Sequence, residues 1–222
     1  MNALLAQNLL WMLGAYLLGS TPTSYLVARI GRGVDLREFG SKNLGATNLY
    51  RLMGFGAAIP VGLFDVLKGT APVLVAQRLH PVPGWFALVV GLCAVLGHVF
   101  SPFVRFRGGK GVATAAGLFL ALAPLCLVVA LVVWALVVKL TGYVSLGSMV
   151  AAAAFVAAVP LLYPGDGATL ATAVAAFVFI VFTHRANVRR LVAGTEHRFG
   201  RGAPALDPAT PRPAEPSAGG SA

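Results

Sequence analysis

Apolar residues fill long runs of this chain, and short stretches rich in glycine, proline and polar residues separate these runs. A helix that crosses a membrane needs about 20 mostly apolar residues. Because several runs approach or exceed this length, the pattern predicts an all-α polytopic membrane protein. Its seven transmembrane helices are predicted at residues 3–30, 54–79, 84–104, 112–123, 125–141, 144–163 and 168–184.

Two of these boundaries admit alternatives. Residues 112–141 fit either one long helix or two short helices around Pro124, since proline disfavours a helix interior but suits a first turn. The N-terminal run resembles a signal peptide in its length. It lacks a basic segment, however, and it continues past Pro22 to Ile30, which favours a retained first span.

The positions of the basic residues favour seven helices over six. Cytoplasmic connections of membrane proteins carry an excess of lysine and arginine. With seven spans, the basic connections at 31–51 and 105–111 and the basic region after residue 184 all lie on one side. Six spans would divide them between both sides. The expected topology therefore has the N-terminus outside and the C-terminus in the cytoplasm.

The composition supports a single membrane domain. Hydrophobic residues make up 58% of the 222 residues and charged residues only 11%, whereas soluble domains carry about 25% charged residues. Residues 1–200 are therefore predicted to form one integral membrane domain. Residues 201–222, rich in proline, alanine and glycine, are predicted to be a disordered cytoplasmic tail.

Charge and cysteine content exclude several classes of partner. The net charge of +10 indicates topology and attraction to anionic lipid rather than a nucleic-acid partner, because no nucleic-acid-binding motif accompanies it. Cys93 and Cys126 both lie inside apolar runs. They indicate small packing residues, and the chain shows no spacing typical of metal ligands.

The first polar cluster, "SKNLGATNLYR" at residues 41–51, follows the first apolar run. Glycines permit backbone conformations in which successive N–H groups face an anion, and Arg51 adds a planar cation suited to phosphate. Glycine and asparagine are also common in ordinary turns. The residues alone therefore leave two interpretations open, an anion-binding loop and a plain connector.

The second cluster, "RGGKG" at residues 107–111, leads into an apolar helix. Glycines and a lysine before a helix N-terminus suit a phosphate group. The cluster is not a Walker A loop, because Gly111 follows the lysine and the glycine spacing differs. His98 lies in the preceding apolar run, where it either serves function or forms a hydrogen bond between helices.

The third cluster combines the start of the sixth predicted span with the end of the seventh. Ser145 and Ser148 are three residues apart and share a helix face, as do His184 and Asn187. Glu196 follows shortly after. Within the second span, Asp65 and Lys68 are also three residues apart, so that their charges can neutralise each other or take part in chemistry.

These clusters offer several phosphate-binding groups and no obvious covalent nucleophile. Such a site favours catalysis by positioning over a covalent intermediate. The residues alone therefore predict a membrane enzyme, or a carrier for a small phosphorylated anion, with its site at the cytoplasmic face. A carrier is less favoured because no inverted repeat is visible.

The strings "GSKNLGATNLYRLMG", "DVLKG", "GHVFSPFVRFRGGKGVAT", "VSLGS" and "THRANVRRLVAGTE" follow one another between about residues 14 and 196. In order and spacing they resemble the bacterial acyl-phosphate:glycerol-3-phosphate acyltransferases. The resemblance implies a seven-helix, multi-pass enzyme of phospholipid synthesis in the bacterial cytoplasmic (inner) membrane, with its active site toward the cytoplasm.

The reaction implied by the resemblance moves a fatty acyl group from acyl phosphate to the sn-1 hydroxyl of glycerol 3-phosphate, which gives lysophosphatidic acid and phosphate. It needs no cofactor. The implied partners are the two substrates and membrane lipid, with no nucleic acid and no obligate protein partner. The hydroxyl attacks the acyl carbonyl directly, and its proton goes either to a histidine or to a substrate phosphate.

The resemblance also assigns residues. The residues expected to be catalytic are Lys110, His184, Asn187, Arg51, Ser148 and His98. The residues expected to bind substrate are Ser41, Asn43, Gly45, Thr47, Asn48, Gly108, Gly109, Gly111, Ser145 and Glu196. The family pattern often has glycine where this chain has Lys42.

Overall fold

The computed structural model describes residues 3–79 and 84–200, and the predicted tail at 201–222 lies outside the described residues. A short 3-10 turn at Pro102–Val104 accompanies the α-helices. The helices are α1 (Ala3–Gly19), α2 (Thr23–Arg32), α3 (Ala46–Met53), α4 (Phe55–Leu79), α5 (Gly84–Val99), α6 (Val112–Leu122), α7 (Pro124–Thr141), α8 (Val144–Leu162), α9 (Gly167–Thr183) and α10 (Arg185–Val192).

Not every apolar helix is long enough to cross a bilayer alone. Four segments have the length and hydropathy of a span, namely Phe55–Arg78, Trp85–Val104, Pro124–Thr141 and Val144–Leu162. A fifth candidate is α9 together with α10, which meet at a bend of 58°. Helix α6 has 11 residues, which is about 16 Å at the rise of an α-helix. In the described residues, length and composition thus support four to five of the seven predicted spans.

The break at Pro124 is confirmed. Helix α6 ends at Leu122, and Pro124 occupies the first turn of α7. A proline at this position loses no hydrogen bond, because the first N–H groups of a helix have no intrahelical partner. The interpretation of residues 112–141 as two helices is therefore correct.

Two expectations for the N-terminal third need correction. The predicted span 3–30 is broken, because α1 ends at Gly19 and α2 starts after Pro22. The predicted loop 31–51 contains most of helix α3. The sequence pattern that marks α3 is short. Leu49 and Leu52 are buried and three residues apart, a spacing that puts both on one helix face.

Small residues allow the helices to approach closely around the site. Helices α4 and α6 cross where an added Cβ at Gly69 would collide with the carbonyl oxygen of Thr114, and one at Gly117 with that of Val66. Thr70 adds a hydrogen bond of 2.8 Å from its hydroxyl to the carbonyl oxygen of Gly117. Such contacts are typical of helix pairs in membranes. They hold α6 firmly, and α6 begins at the second polar cluster.

Candidate active site

The three polar clusters converge on one cavity of about 370 Å³. Its walls come from helices α3 to α10 and from the segment that follows α10. Of the sixteen predicted site residues, fourteen line this cavity: Ser41, Asn43, Gly45, Thr47, Asn48, Arg51, His98, Lys110, Gly111, Ser145, Ser148, His184, Asn187 and Glu196.

Asn48 organises the first cluster from within. Its side chain is buried, its Oδ1 accepts a hydrogen bond of 3.0 Å from the N–H of Ser41, and its Nδ2 donates to the carbonyl oxygens of Leu36 and Phe39. The side-chain amide of Asn48 therefore forms its hydrogen bonds within the loop. Asn48 lines the cavity, and its hydrogen bonds also give it a positioning role in the loop.

The N-terminus of α3 opens into the cavity beside this loop. Gly45 is its N-cap and makes no side-chain capping bond, and the N–H groups of Asn48 and Leu49 donate to the carbonyl of Gly45. The N–H groups of Ala46 and Thr47 precede these bonds, and both residues line the cavity. Exposed N–H groups at a helix N-terminus favour an anion.

Lys42 has a left-handed backbone conformation that its neighbours Ser41 and Asn43 do not share. Its φ angle is 58°, a left-handed conformation that favours glycine. A glycine at this position would adopt the same conformation without strain. Lys42 is not among the residues that line the cavity, whereas its neighbours Ser41 and Asn43 are.

Gly108 and Gly109 are not among the residues that line the cavity, and their contact with substrate stays a prediction. The N–H of Gly108 donates to the carbonyl of Val99, and the N–H of Gly109 donates to the carbonyl of His98. An added Cβ at Gly108 would collide with the His98 carbonyl, and one at Gly109 with the His98 ring. Both glycines therefore serve the packing of this loop against the end of α5.

The same packing aims Lys110 into the cavity. Gly111, with a φ of 82°, is the N-cap of α6, and the carbonyl of Lys110 accepts a hydrogen bond of 3.1 Å from the Thr183 hydroxyl on α9. Burial lowers the pKa of the Lys110 amine to about 8, against the attraction of Glu196, while the charges of Arg190 and Arg51 lower it further. Lys110 is thus charged at neutral pH and loses its proton at moderately alkaline pH.

This pKa gives a testable pH dependence. A bound phosphate dianion favours the charged form of Lys110, so its affinity should decrease as the pH rises above about 8, by at most about tenfold per pH unit. We expect the KM for a phosphate-bearing substrate to rise in this range. In the Lys110→Arg variant the guanidinium stays charged, and this part of the pH profile should disappear. A wild-type KM that stays constant from neutral to alkaline pH would contradict the assignment.

Glu196 is the hydrogen-bonding centre of the third cluster. Its Oε1 accepts from Ser145 Oγ at 2.8 Å and from Asn187 Nδ2 at 2.6 Å, and its Oε2 accepts from Arg190 Nε at 2.6 Å. Burial raises the pKa of the Glu196 carboxyl, but the hydrogen bonds from Asn187, Arg190 and Ser145 outweigh this and hold the pKa below its usual value. Glu196 is therefore a carboxylate that ties α8 to α10.

His184 lies at the bend between α9 and α10 and is buried. Its Nδ1 is 2.8 Å from the carbonyl oxygen of Ile180. Because a carbonyl only accepts, Nδ1 carries the hydrogen, and Nε2 is then the ring nitrogen with a lone pair. The ring can therefore accept a hydrogen bond from a hydroxyl group in the cavity.

His98 belongs to a buried charged group under the cavity. Its Nδ1 is 3.7 Å from Asp65 Oδ1, and the same oxygen is 2.6 Å from Lys68 Nζ. Lys68 also donates to the carbonyl of Thr21 at the break between α1 and α2. The pairing of Asp65 with Lys68 is thus confirmed. These contacts hold His98 against the Gly109 backbone, which gives it a positioning role for the Lys110 loop.

A segment after α10 also lines the cavity, and of this segment only Glu196 was predicted from the sequence. We call residues 195–199 the C-terminal strap. Besides Glu196, His197 of this strap lines the cavity. The Phe199 N–H donates to the carbonyl of Gly142, and the Phe199 ring stacks on Tyr50 with centroids 4.9 Å apart. No periodic pattern marks this segment, so its position could not be inferred from the sequence.

The cavity carries an excess of positive charge at its polar end. Asp65 pairs with Lys68, and Glu196 pairs with Arg190. Within residues 3–79 and 84–200, Arg51 and Lys110 line the cavity and make no ion pair. Together with the N-terminus of α3, they create an environment suited to one or two phosphate groups.

The far end of the same cavity is apolar. Its walls there are mainly alanine, leucine and aromatic side chains of α6, α7, α8 and α9. A cavity with one polar and one apolar end fits an amphipathic ligand, whose phosphate and hydrocarbon parts occupy different ends.

Comparisons with known proteins agree with this geometry. The family model described as glycerol-3-phosphate acyltransferase matches residues 9–194. The chain is 51% identical over 191 residues to the glycerol-3-phosphate acyltransferase of Geobacter sulfurreducens, with 83% of this chain and 94% of that protein covered. It is 46% identical over 198 residues to that of Trichlorobacter lovleyi, with 86% and 97% covered.

Two solved structures of glycerol 3-phosphate acyltransferases also resemble this chain. One is PlsY (YgiH), an integral membrane glycerol 3-phosphate acyltransferase, in its glycerol 3-phosphate form, with a TM-score of 0.82 and 37% identity. The lysophosphatidic acid form gives a TM-score of 0.80 and 36% identity. Both comparisons cover 87% of this chain and 96% of the other chain.

Proposed function

The chain belongs to the glycerol-3-phosphate acyltransferase family, and on that premise we propose that it transfers a fatty acyl group from acyl phosphate to the sn-1 hydroxyl of glycerol 3-phosphate. The products are lysophosphatidic acid and phosphate. The observation that carries this proposal is a cavity with a cationic end and an apolar end. An acyl phosphate and its acylated product both have this division of polarity.

Glycerol 3-phosphate binds at the polar end in this proposal. Arg51 and Lys110 attract its phosphate, and Ser148, His184 and Asn187 surround its glycerol hydroxyls. Asn187 is oriented by Glu196, and the lone pair of His184 Nε2 accepts a hydrogen bond from a hydroxyl. The relatives in the solved structures bind glycerol 3-phosphate and lysophosphatidic acid.

The phosphate of the acyl donor lies at the N-terminus of α3. The N–H groups of Ala46 and Thr47 and the side chains of Ser41 and Asn43 supply donors there, all on cavity-lining residues. The hydroxyl of Ser41 lies 3.4 Å from Arg51 Nη1, which brings the two phosphate-binding regions next to each other. The acyl carbonyl is then held close to the glycerol hydroxyl.

The reaction proceeds as one displacement at the acyl carbon. The glycerol oxygen forms a bond to the carbonyl carbon, and the bond from that carbon to the phosphate oxygen breaks. The electron pair leaves with phosphate, and the hydroxyl proton goes to His184 Nε2 or to a substrate phosphate. Lys110 and Arg51 stabilise the negative charge that develops on the departing phosphate.

The serines of the cavity support direct transfer over an acyl-enzyme. A serine nucleophile needs a base that accepts its proton. The hydroxyl of Ser145 donates to Glu196, and that of Ser148 donates to the carbonyl of Val144. The hydroxyl oxygen of Ser41 accepts from Arg51. Among the hydrogen bonds of the described residues, none of the three joins a serine to a histidine.

We further propose that seven helices cross the bacterial cytoplasmic membrane, with the N-terminus outside and the active site toward the cytoplasm. The basic connections at the site end of the helices support this orientation. In a cysteine-free variant, Ala193→Cys should react with an impermeant thiol reagent only after cell lysis, and Gly167→Cys should react in intact cells. The reverse result would contradict the orientation.

The donor is tested with purified full-length protein, glycerol 3-phosphate and either acyl phosphate or the acyl-CoA of the same chain. We expect equal amounts of lysophosphatidic acid and phosphate from acyl phosphate and no product from the thioester. Comparable turnover of the thioester would contradict the proposed donor. Uptake of glycerol 3-phosphate into proteoliposomes without acyl transfer would contradict the enzyme and favour a carrier.

A further inference from the structure

The apolar end of the cavity has a regular construction. Four helices line it, and each contributes residues at positions i, i+3, i+4 and i+7, starting at Val112 in α6, Leu127 in α7, Ser148 in α8 and Ala173 in α9. This spacing places the four residues of each helix on one face over two turns. The four faces therefore enclose one elongated chamber that runs parallel to the helices.

Small residues line the middle of this chamber. Six of the eight residues at the i+3 and i+4 positions are alanine, and the exceptions are Leu131 and Phe177. Alanines leave room between close helices without a polar group. The chamber is thus shaped for a slender hydrocarbon chain.

Two phenylalanines close the chamber at the end away from the polar site. Phe119 of α6 and Phe155 of α8 occupy the last lining positions of their helices, and both are only 5% exposed. Their ring centroids are 4.3 Å apart. Beyond Phe155, α8 continues to Leu162 without a further lining residue, so the cavity ends at these rings.

The depth of the cavity is set by its two ends along α9. Ala173 at the floor and His184 at the polar end are eleven residues apart, which corresponds to about 16 Å at the rise of an α-helix. The apolar chamber, from Ala173 to Ile180, takes about 10 Å of this depth. A chain that enters from the polar site therefore meets the floor within this distance.

We propose that Phe119 and Phe155 form the floor of an acyl-chain chamber and set the longest chain that the enzyme transfers efficiently. This inference rests on the proposed function, because it needs the acyl group of the donor to enter the chamber. A methylene group that does not fit an apolar pocket lowers kcat/KM by about tenfold or more. A rigid floor therefore discriminates sharply between chains that differ by a few carbons.

The test is a competition between two acyl phosphates, one longer and one shorter than the preferred chain, in one reaction with glycerol 3-phosphate. Mass spectrometry of the two lysophosphatidic acids gives the ratio of long to short product. This ratio does not depend on the amount of folded protein. We expect Phe155→Ala to raise it by about tenfold or more, because removal of the ring deepens the chamber.

A second variant tests the opposite change. Ala173 lies at the floor, on the end of α9 remote from His184, so Ala173→Leu makes the chamber shallower and should lower the ratio. The matched control is Val159→Ala, which removes a buried side chain one turn beyond Phe155 and outside the lining. This control should leave the ratio unchanged.

Unchanged ratios in both Phe155→Ala and Ala173→Leu would overturn the proposal, since they would show that the chain leaves the site sideways into lipid. If Phe155→Ala is inactive, the product ratio of Ala173→Leu decides. A lower ratio supports the proposal, and an unchanged ratio overturns it. Absence of acyl transfer in the wild type would contradict the proposed function itself, so that the two failures are distinguishable.

Discussion

Replacement of Lys110 by alanine is expected to lower kcat/KM for acyl transfer by about 100-fold or more. Lys110 lines the cavity, makes no ion pair among the described residues and lies in a region of excess positive charge. In the proposed reaction its ammonium group stabilises the charge on the departing phosphate. Because Lys110 also attracts a substrate phosphate in the ground state, KM should rise while kcat falls, and kcat/KM should decrease by more than kcat alone.

The matched control is Lys42→Gly. Lys42 is a cation of the neighbouring loop that does not line the cavity, and its backbone conformation suits glycine. Its replacement should leave kcat/KM close to the wild-type value. Near-normal turnover by Lys110→Ala, or equal losses in both variants, would contradict the assigned role of Lys110.

The second large effect is expected for Glu196→Ala. The substitution removes the acceptor that Ser145, Asn187 and Arg190 share. Asn187 and the strap then lose their orientation, and a displacement of about 1 Å at a reacting group can lower the rate by about 100-fold. We expect a loss of this size in kcat/KM, together with a lower thermal unfolding midpoint.

Two further variants separate the loss of the Glu196 hydrogen bonds from the loss of a negative charge. Glu196→Gln keeps one acceptor oxygen, so its activity should lie between those of the wild type and Glu196→Ala. Glu38→Gln removes a carboxylate that does not line the cavity, and it should behave like the wild type. Wild-type activity in Glu196→Ala would show that this hydrogen-bonding centre does not position the site.

The helices were predictable where a long apolar run alone determines their position. Long apolar runs predicted α4, α7 and α8 closely, and Pro124 marked a helix boundary because of its backbone chemistry. Helix α3 was missed because its eight residues form only about two turns, which is too short a window for a helical period to be recognised. The break between α1 and α2 was missed because apolar residues continue after Pro22, so that the two short helices look like one run.

The site was predictable in its residue types but only partly in their roles. Arginine, lysine and histidine near helix ends indicate anion binding from the sequence alone. Glycine does not reveal whether its missing side chain serves a ligand or a neighbouring helix, and the contacts that Gly108 and Gly109 make in the structure are packing contacts with the end of α5. The internal hydrogen bonds of Asn48 and the position of His197 in the strap depend on tertiary contacts.

The central claim is that one cavity aligns both substrates for a single displacement without a covalent enzyme intermediate. The most direct test mixes the purified protein with acyl phosphate alone and follows phosphate release and intact protein mass in one turnover. The account predicts no acylated protein and no burst of phosphate until glycerol 3-phosphate is added. An acyl adduct on the protein that forms at least as fast as turnover would contradict it.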